Sequence, residues 1–185
     1  KAIPTCASFE EAARAIFDTC TQLIGARSGY VALLSEDGQE NELLFLEAGG
    51  LPCDVDPELP MPVRGLRAEA YRTGRPAYDN DFAHSRWMDY MPAGHVELEN
   101  VLFAPVNIQG RTVGLIGMAN KPGGFDGRDV QVAGAFGDLA AIALRYAQLQ
   151  EKLGSWGRVF EHAEWGVATC QAEDQSLDMM NPAFA

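Results

Sequence analysis

Residues able to do chemistry are present, but their spacing assembles little of it. Cys6, Cys20, Cys53 and Cys170 include no CxxC pair, so neither a zinc knuckle nor a redox dithiol is written here. His95, after Pro92 and Gly94, is a lone imidazole that could ligate iron or satisfy loop carbonyls through its ring N–H. No set of spaced His, Cys and carboxylate ligands marks a metal site. No nucleophile, base and orienter come together either, so the segment reads as non-enzymatic and free of cofactor. The aromatic chemistry is richer: Asp79–Asn100 holds Phe82, His84, Trp87, Met88, Tyr90, Met91 and His95 with no steady period. Flat rings give large contact area with few rotors to freeze. Trp87, Met88, Tyr90 and Met91 could therefore lid a small ligand, or merely seal a core beneath a long loop.

The elements around that stretch must position it. Ser8-Phe9-Glu10-Glu11 has the form of a capping box, and Phe9, Ala12, Ala13, Ile16, Phe17, Cys20, Leu23 and Ile24 follow at helical spacing until Gly25. Gly29–Leu34 and Glu42–Glu47, joined through Glu36-Asp37-Gly38, read as a hairpin. Gly65–Arg72 reads as a short helix closed by Gly74, and Arg75–Tyr78 as a short extended piece. Val101–Val106 and Thr112–Ala119 make a second hairpin. Asp126 or Asp129 can cap a helix reaching Leu153, with Val130, Ala133, Phe136, Leu139, Ala140, Ala143, Tyr146, Ala147, Leu149 and Leu153 on its apolar side. Gly154 should interrupt it, and Gly166–Cys170 should be extended. The order implies an α+β fold, helices on an antiparallel sheet.

With 26 acids against 14 bases the formal charge is −12, which repels phosphate backbones and anionic lipid. Nucleic acid and membrane are poor partners for such a segment. No run approaches the ~18 apolar residues of a membrane span, Lys1–Pro4 does not read as a signal peptide, and the cysteine usage suits a reducing cytoplasm.

Over roughly residues 8–150 the sequence resembles the GAF family. The resemblance is carried by Tyr71-Arg72-Thr73-Gly74-Arg75-Pro76 with Asn80-Asp81, by Ser85-Arg86-Trp87, by Pro92-Ala93-Gly94-His95 leading into Val101–Val106, and by Gly114 to Phe125. It implies a GAF-like, profilin-like antiparallel sheet with helices on both faces and a long C-terminal signalling helix. It also implies an input module of a bacterial sensor histidine kinase or a cyclic-dinucleotide enzyme such as a diguanylate cyclase. Val159–Ala163, Gly166-Val167 and Asn181-Pro182-Ala183-Phe184 resemble the opening of a PAS module, with Asn181 as a helix cap and Pro182 in the first helical position. The expected organisation is residues 1–150 as a GAF sensory domain, 151–165 as a linker helix and 166–185 as the truncated start of a PAS domain.

Within the family, Asn120-Lys121, Phe125 and Asp129 resemble the signature of cyclic-nucleotide-binding members, with Val130 where a Glu belongs. The architectural reading is that Asn120 and Lys121 end a strand, Phe125 staples the next helix and an Asp caps it. Some family members hold haem near the position of His95. Free-methionine-sulfoxide reductases place cysteines where this chain has His95–Asn100, and bilin attachment lacks its cysteine too. The candidate ligand-binding residues are Tyr30, Ala32, Trp87, Met88, Tyr90, His95, Phe103, Met118 and Asn120. Two functions remain open: a sensor that binds an unknown small molecule and moves its last helix, or a ligand-free dimerisation spacer. Both expect a homodimer through the first and last helices, with a seam along Leu139, Ile142, Tyr146, Leu149 and Leu153.

Overall fold

The computed structural model describes residues 7–52, 54–56, 59–170 and 176–184. The chain forms two compact units, Lys1–Arg145 and Tyr146–Ala185. Cys6 and Cys53 lie outside the described residues.

The first unit is built on one five-stranded antiparallel sheet in the order β2-β1-β5-β4-β3. Its strands are β1 (Ser28–Leu34), β2 (Asn41–Glu47), β3 (Ala77–Asp79), β4 (Val101–Ile108) and β5 (Arg111–Ala119). Both expected hairpins therefore share a sheet, joined where β1 pairs with β5 from Ser28↔Ala119 to Leu33↔Gly114. The β4–β5 hairpin closes in two residues, Gln109 (φ 51°) and Gly110 (φ 77°). Positive φ at both positions matches the right-handed twist of the flanking strands.

Helix α1 (Ala7–Ile24) begins one residue ahead of the expected Ser8 cap and buries Phe9, Ala13, Phe17, Cys20 and Ile24. The ring of Phe17 meets Phe45 of β2 edge-on at 5.4 Å, and Cys20 Sγ lies 3.7 Å from Met118 Sδ of β5. The opposite face carries α2 (Leu66–Thr73) and two 3-10 turns, Phe82–His84 and Arg86–Tyr90. There Tyr30, Ala32, Val101, Phe103, Leu115 and Ala119 pack with Ala70 and Phe82.

Helix α3 (Gly127–His162) runs through Gly154 without a break, nine residues beyond the expected end at Leu153. Its buried side differs from the expected stripe. Ala133, Gly137, Ala140, Ala141 and Leu144 are buried, whereas Leu139 and Ile142 are 48% and 66% exposed. Gly137 explains the choice, because a Cβ there would stand 2.4 Å from the Pro105 carbonyl oxygen of β4. The helix approaches the sheet mainly through small residues, with Leu144 buried among them, while Leu139 and Ile142 turn outward.

The N-terminus of α3 is a reciprocal cap. Asp126 Oδ1 accepts from the backbone N–H of Asp129 at 3.0 Å, and Asp129 Oδ2 accepts from that of Asp126 at 2.8 Å. The bond from Asp129 N–H, with a second from Arg128 N–H at 2.8 Å, holds the Asp126 carboxyl below its ordinary range. Lys121 Nζ pairs with Asp129 in a site where the two side chains are only 19% and 9% exposed.

In the second unit β6 (Ala168–Cys170) and β7 (Leu177–Met180) form an antiparallel pair. Asn181 is buried there but does not cap a helix: its Oδ1 accepts from Val167 N–H at 2.8 Å and its Nδ2 donates to the Trp165 carbonyl at 3.1 Å. Both partners lie in the one loop ahead of β6, and residues 182–184 form a turn in which Phe184 N–H donates to the Asn181 carbonyl at 3.0 Å.

Candidate functional site: a covered cavity on the sheet

Between the sheet and the residues that cover it lies a cavity of about 80 Å³. Its floor comes from Tyr30, Val101, Phe103 and Gly117, and its cover from Phe82, Trp87, Tyr90, Met91, His95, Val96 and Leu98. Met61, Arg64, Leu66 and Arg67 close one side. Gly117 makes room for the floor, since a Cβ there would come within 2.6 Å of the Tyr30 ring. Tyr30 in turn leans on Phe103, ring centroids 6.3 Å apart. A hollow of about 380 Å³ near Thr73, Arg111 and Thr112 is an open surface feature without such a cover.

The cover is held by amide side chains. Asn120 accepts from Glu99 N–H and donates to the Glu97 carbonyl, both at 2.9 Å, and Asn100 accepts from Lys121 N–H and donates to its carbonyl at 2.9 and 3.0 Å. Phe82 N–H donates to the Glu99 carbonyl at 3.0 Å. Asn80 clasps the backbone of Phe125 with both amide atoms, at 2.7 and 2.9 Å.

Of the nine candidate residues, Tyr30, Trp87, Tyr90, His95, Phe103 and Met118 border this cavity. Three do not. Ala32 is inside the packed cluster, Met88 is exposed to solvent, and Asn120 is spent on the two cover bonds, its backbone at φ 58°. Met118 belongs to the opposite alternation of β5, so its sulfur goes to Cys20 beneath α1. His95 Nδ1 lies 2.8 Å from the Val96 carbonyl and so carries the ring proton. Sequence reasoning missed Arg64 and Arg67, which flank the start of α2 at a spacing of three, and Met61 and Ser28.

The electrostatics centre on two phenols and one guanidinium. Burial pushes the Tyr30 and Tyr71 phenols up, and the charge of Arg67 works against it at both. Tyr71 donates to Asn41 Oδ1 at 2.8 Å, whereas Tyr30 Oη and Ser28 Oγ, both buried, have no hydrogen-bond partner among the described residues. Lys121 and Asp129, with Phe125 between them in sequence, are committed to each other and to the α3 cap. The architectural account of the Asn120–Asp129 motif is the one the geometry supports.

Residues 6–145 match the profile of the family described as GAF domain. The chain belongs to the GAF family. Solved structures similar to this GAF chain include residues 122 to 287 of a methyl-accepting chemotaxis protein (TM-score 0.60, 15% identity, covering 76% of this chain and 90% of that one). The GAF-B domain of DevS from Mycobacterium smegmatis is similar over 78% of this chain and 98% of its own (TM-score 0.59, 20% identity). A type II free methionine-R-sulfoxide reductase from Thermoplasma acidophilum is similar over 75% and 96% (TM-score 0.56, 18% identity). At these identities the likeness concerns the fold alone. No curated protein matches the chain by sequence.

The reductase raises the question of thiol chemistry. Burial pushes the Cys20 thiol of this GAF chain up to about 12, so it stays protonated and packs as a small core residue. Among the described residues no helix is long and apolar enough to cross a membrane, and no cluster of His, Cys and carboxylates could hold a metal.

Proposed function

We propose that this GAF chain is the sensory input of a cytoplasmic signalling protein, in which the covered cavity takes a small molecule and α3 passes the change to a PAS module and an output domain of the histidine kinase or diguanylate cyclase type. The observation that carries it is the cavity itself: an apolar floor closed by a stretch of rings that Asn100, Asn120 and Asn80 help to hold in place. A volume of about 80 Å³ is well below the ~300–1,000 Å³ of sites for drug-sized ligands, and a haem or a cyclic nucleotide exceeds it. The segment itself is regulatory and has no catalytic role in this reading. Ligand biases the output only if it binds one arrangement of α3 better than another.

The test is a melting-temperature screen of the chain against small metabolites; a compound present at 100 times its Kd adds about 2.7 kcal/mol of stability. Absence of any shift across acids, amines, sugars and nucleotides at millimolar concentration would argue for a cavity that serves only packing.

A dimerisation role is favoured by a separate observation. Leu139, Ile142, Tyr146, Leu149 and Leu153 of α3 are 48–66% exposed, and Leu23 of α1 is 68% exposed. Their spacing on one helix suits a parallel seam between two copies. The PAS reading is supported by β6 and β7, whose Leu177, Met179 and Met180 are half exposed or more, since a two-stranded hairpin is marginal without further packing.

A further inference from the structure

The reading above leaves the chemistry of the ligand open, and the wall of the same cavity narrows it. Arg67, half buried at the start of α2, lines the cavity and has neither a hydrogen-bond acceptor nor an ion-pair partner for its guanidinium among the described residues. Five N–H donors in a fixed fork are therefore uncommitted beside an apolar floor. Arg64, three residues earlier, lines the same side and donates to the Tyr90 carbonyl at 3.1 Å, its guanidinium 5.7 Å from the Tyr90 ring centroid.

Two further polar groups belong to residues on this wall. Tyr30 Oη and Ser28 Oγ are buried without a partner. Buried hydroxyls of that kind are rare, because each costs the hydration it has lost. Tyr30 also lies within the field of Arg67. One lining acid, Glu47, is already paired with Arg14 at 2.9 Å. The overall charge of −12 does not decide the matter at this range, since exposed charges are screened beyond about 8–10 Å at ordinary salt.

Size completes the description. About 80 Å³, at ~10–15 Å³ for each water-sized group, leaves room for roughly five to eight such groups. We propose that the cavity takes a compact, apolar monocarboxylate. Its ring or branched chain lies against Phe103, Leu98 and Val101, and its carboxylate is held by Arg67 with a hydroxyl of Tyr30 or Ser28 donating to the second oxygen. A carboxylate matches the fork bidentately and supplies the acceptors that these donors lack.

The proposal rests on the cavity being a ligand site, so the experiment separates the two. Isovalerate, its neutral isostere isovaleramide, and isoamyl alcohol, which fit that room, are titrated into the full chain by calorimetry and by ligand-observed NMR. The expected result is that isovalerate binds at least about tenfold more tightly than isovaleramide, the worth of one charge-assisted hydrogen bond. R67Q should erase that preference, and R67K should keep part of it. Equal affinity for isovalerate and isovaleramide in the unsubstituted chain, or a preference that survives R67Q, overturns the carboxylate assignment while the ligand site stands. Binding of isoamyl alcohol alone has the same meaning. If none of the three binds, the carboxylate assignment falls, and the ligand site falls with it only when the melting-temperature screen also finds no binder.

Discussion

Tyr30 lines the cavity and Tyr71 packs against the same core cluster, but their hydroxyls differ in what they touch, and exchanging each for phenylalanine should give changes of opposite sign. In Tyr71→Phe the bond from Oη to Asn41 Oδ1 at 2.8 Å is lost. Asn41 is 4% exposed and keeps only its Nδ2 bond to the Met61 carbonyl. An acceptor left dry in this way costs about 1–3 kcal/mol. Tyr30→Phe removes instead a hydroxyl that is buried without a partner, so the folded chain sheds a desolvation cost and loses no hydrogen bond. Less the contacts of one oxygen, it should gain up to about 1 kcal/mol, or roughly 2–4 °C in melting temperature for a chain of this size. Urea unfolding of both variants in ligand-free protein measures the difference, expected to be about 1–4 kcal/mol.

High pH gives the same pair a second readout. Both phenols are pushed above their ordinary value of 10.0, by burial foremost. The unfolded chain therefore loses these protons first as pH rises past that value, and stability is fully present below it and drains away above it. Each phenylalanine variant should flatten that alkaline loss. A Tyr30→Phe chain destabilised as much as Tyr71→Phe would refute the reasoning, because it would mean that the Tyr30 hydroxyl is already satisfied within the fold.

Lys121→Met should cost about 3–5 kcal/mol in urea unfolding, since it strands the Asp129 carboxylate in a site 9% exposed; a loss below 1 kcal/mol would show the pair to be structurally idle. Iodoacetamide labelling of native protein, mapped by mass spectrometry, should leave Cys20 unmodified while the exposed Cys170 reacts, and rapid Cys20 alkylation would contradict its burial. Replacing both Leu139 and Ile142 by Glu should convert a concentration-dependent dimer to monomer in sedimentation while leaving the unfolding free energy of ligand-free monomer within about 1 kcal/mol, as for surface changes generally. Asn120→Gly keeps the backbone at φ 58° accessible but deletes both cover bonds; hydrogen exchange of residues 97–99 should rise, and unchanged protection there would remove Asn120 from the cover.

The sheet was legible in the sequence because both hairpins announce themselves through apolar runs closed by turn residues, and the fold class follows from their order among amphipathic helices. The side of α3 that packs was not. Periodicity marks large apolar residues, yet Gly137 lets the helix come close to Pro105 on a face made mostly of alanines, and Leu139 and Ile142 are left facing out. Asn181 misled for a related reason: Asn before Pro favours a cap locally, but its amide is claimed from a distance by Val167 and Trp165. At the site, the aromatic cover was legible as composition. Its polar wall was not, since Arg64 and Arg67 read as the solvated edge of a short helix until the sheet brings Tyr30 beside them.

The stretch from Ala119 to Asp129 joins the two halves of the proposed function. Asn120 holds the cover at Glu97 and Glu99, and the next residue, Lys121, holds the first turn of α3 through Asp129. Asn80, at the other end of the cover, grips Phe125 in the same loop. In the proposed function a bound molecule that displaces the cover would therefore act directly, through these hydrogen bonds, on the backbone that fixes where α3 begins. Under the proposed function, attachment at both ends of this one short loop is what would couple a cavity of about 80 Å³ to the first turn of α3. It follows that a ligand filling the cavity without touching the 97–99 segment would stabilise the fold and leave the helix where it was, because only differential contact with the two arrangements shifts their populations.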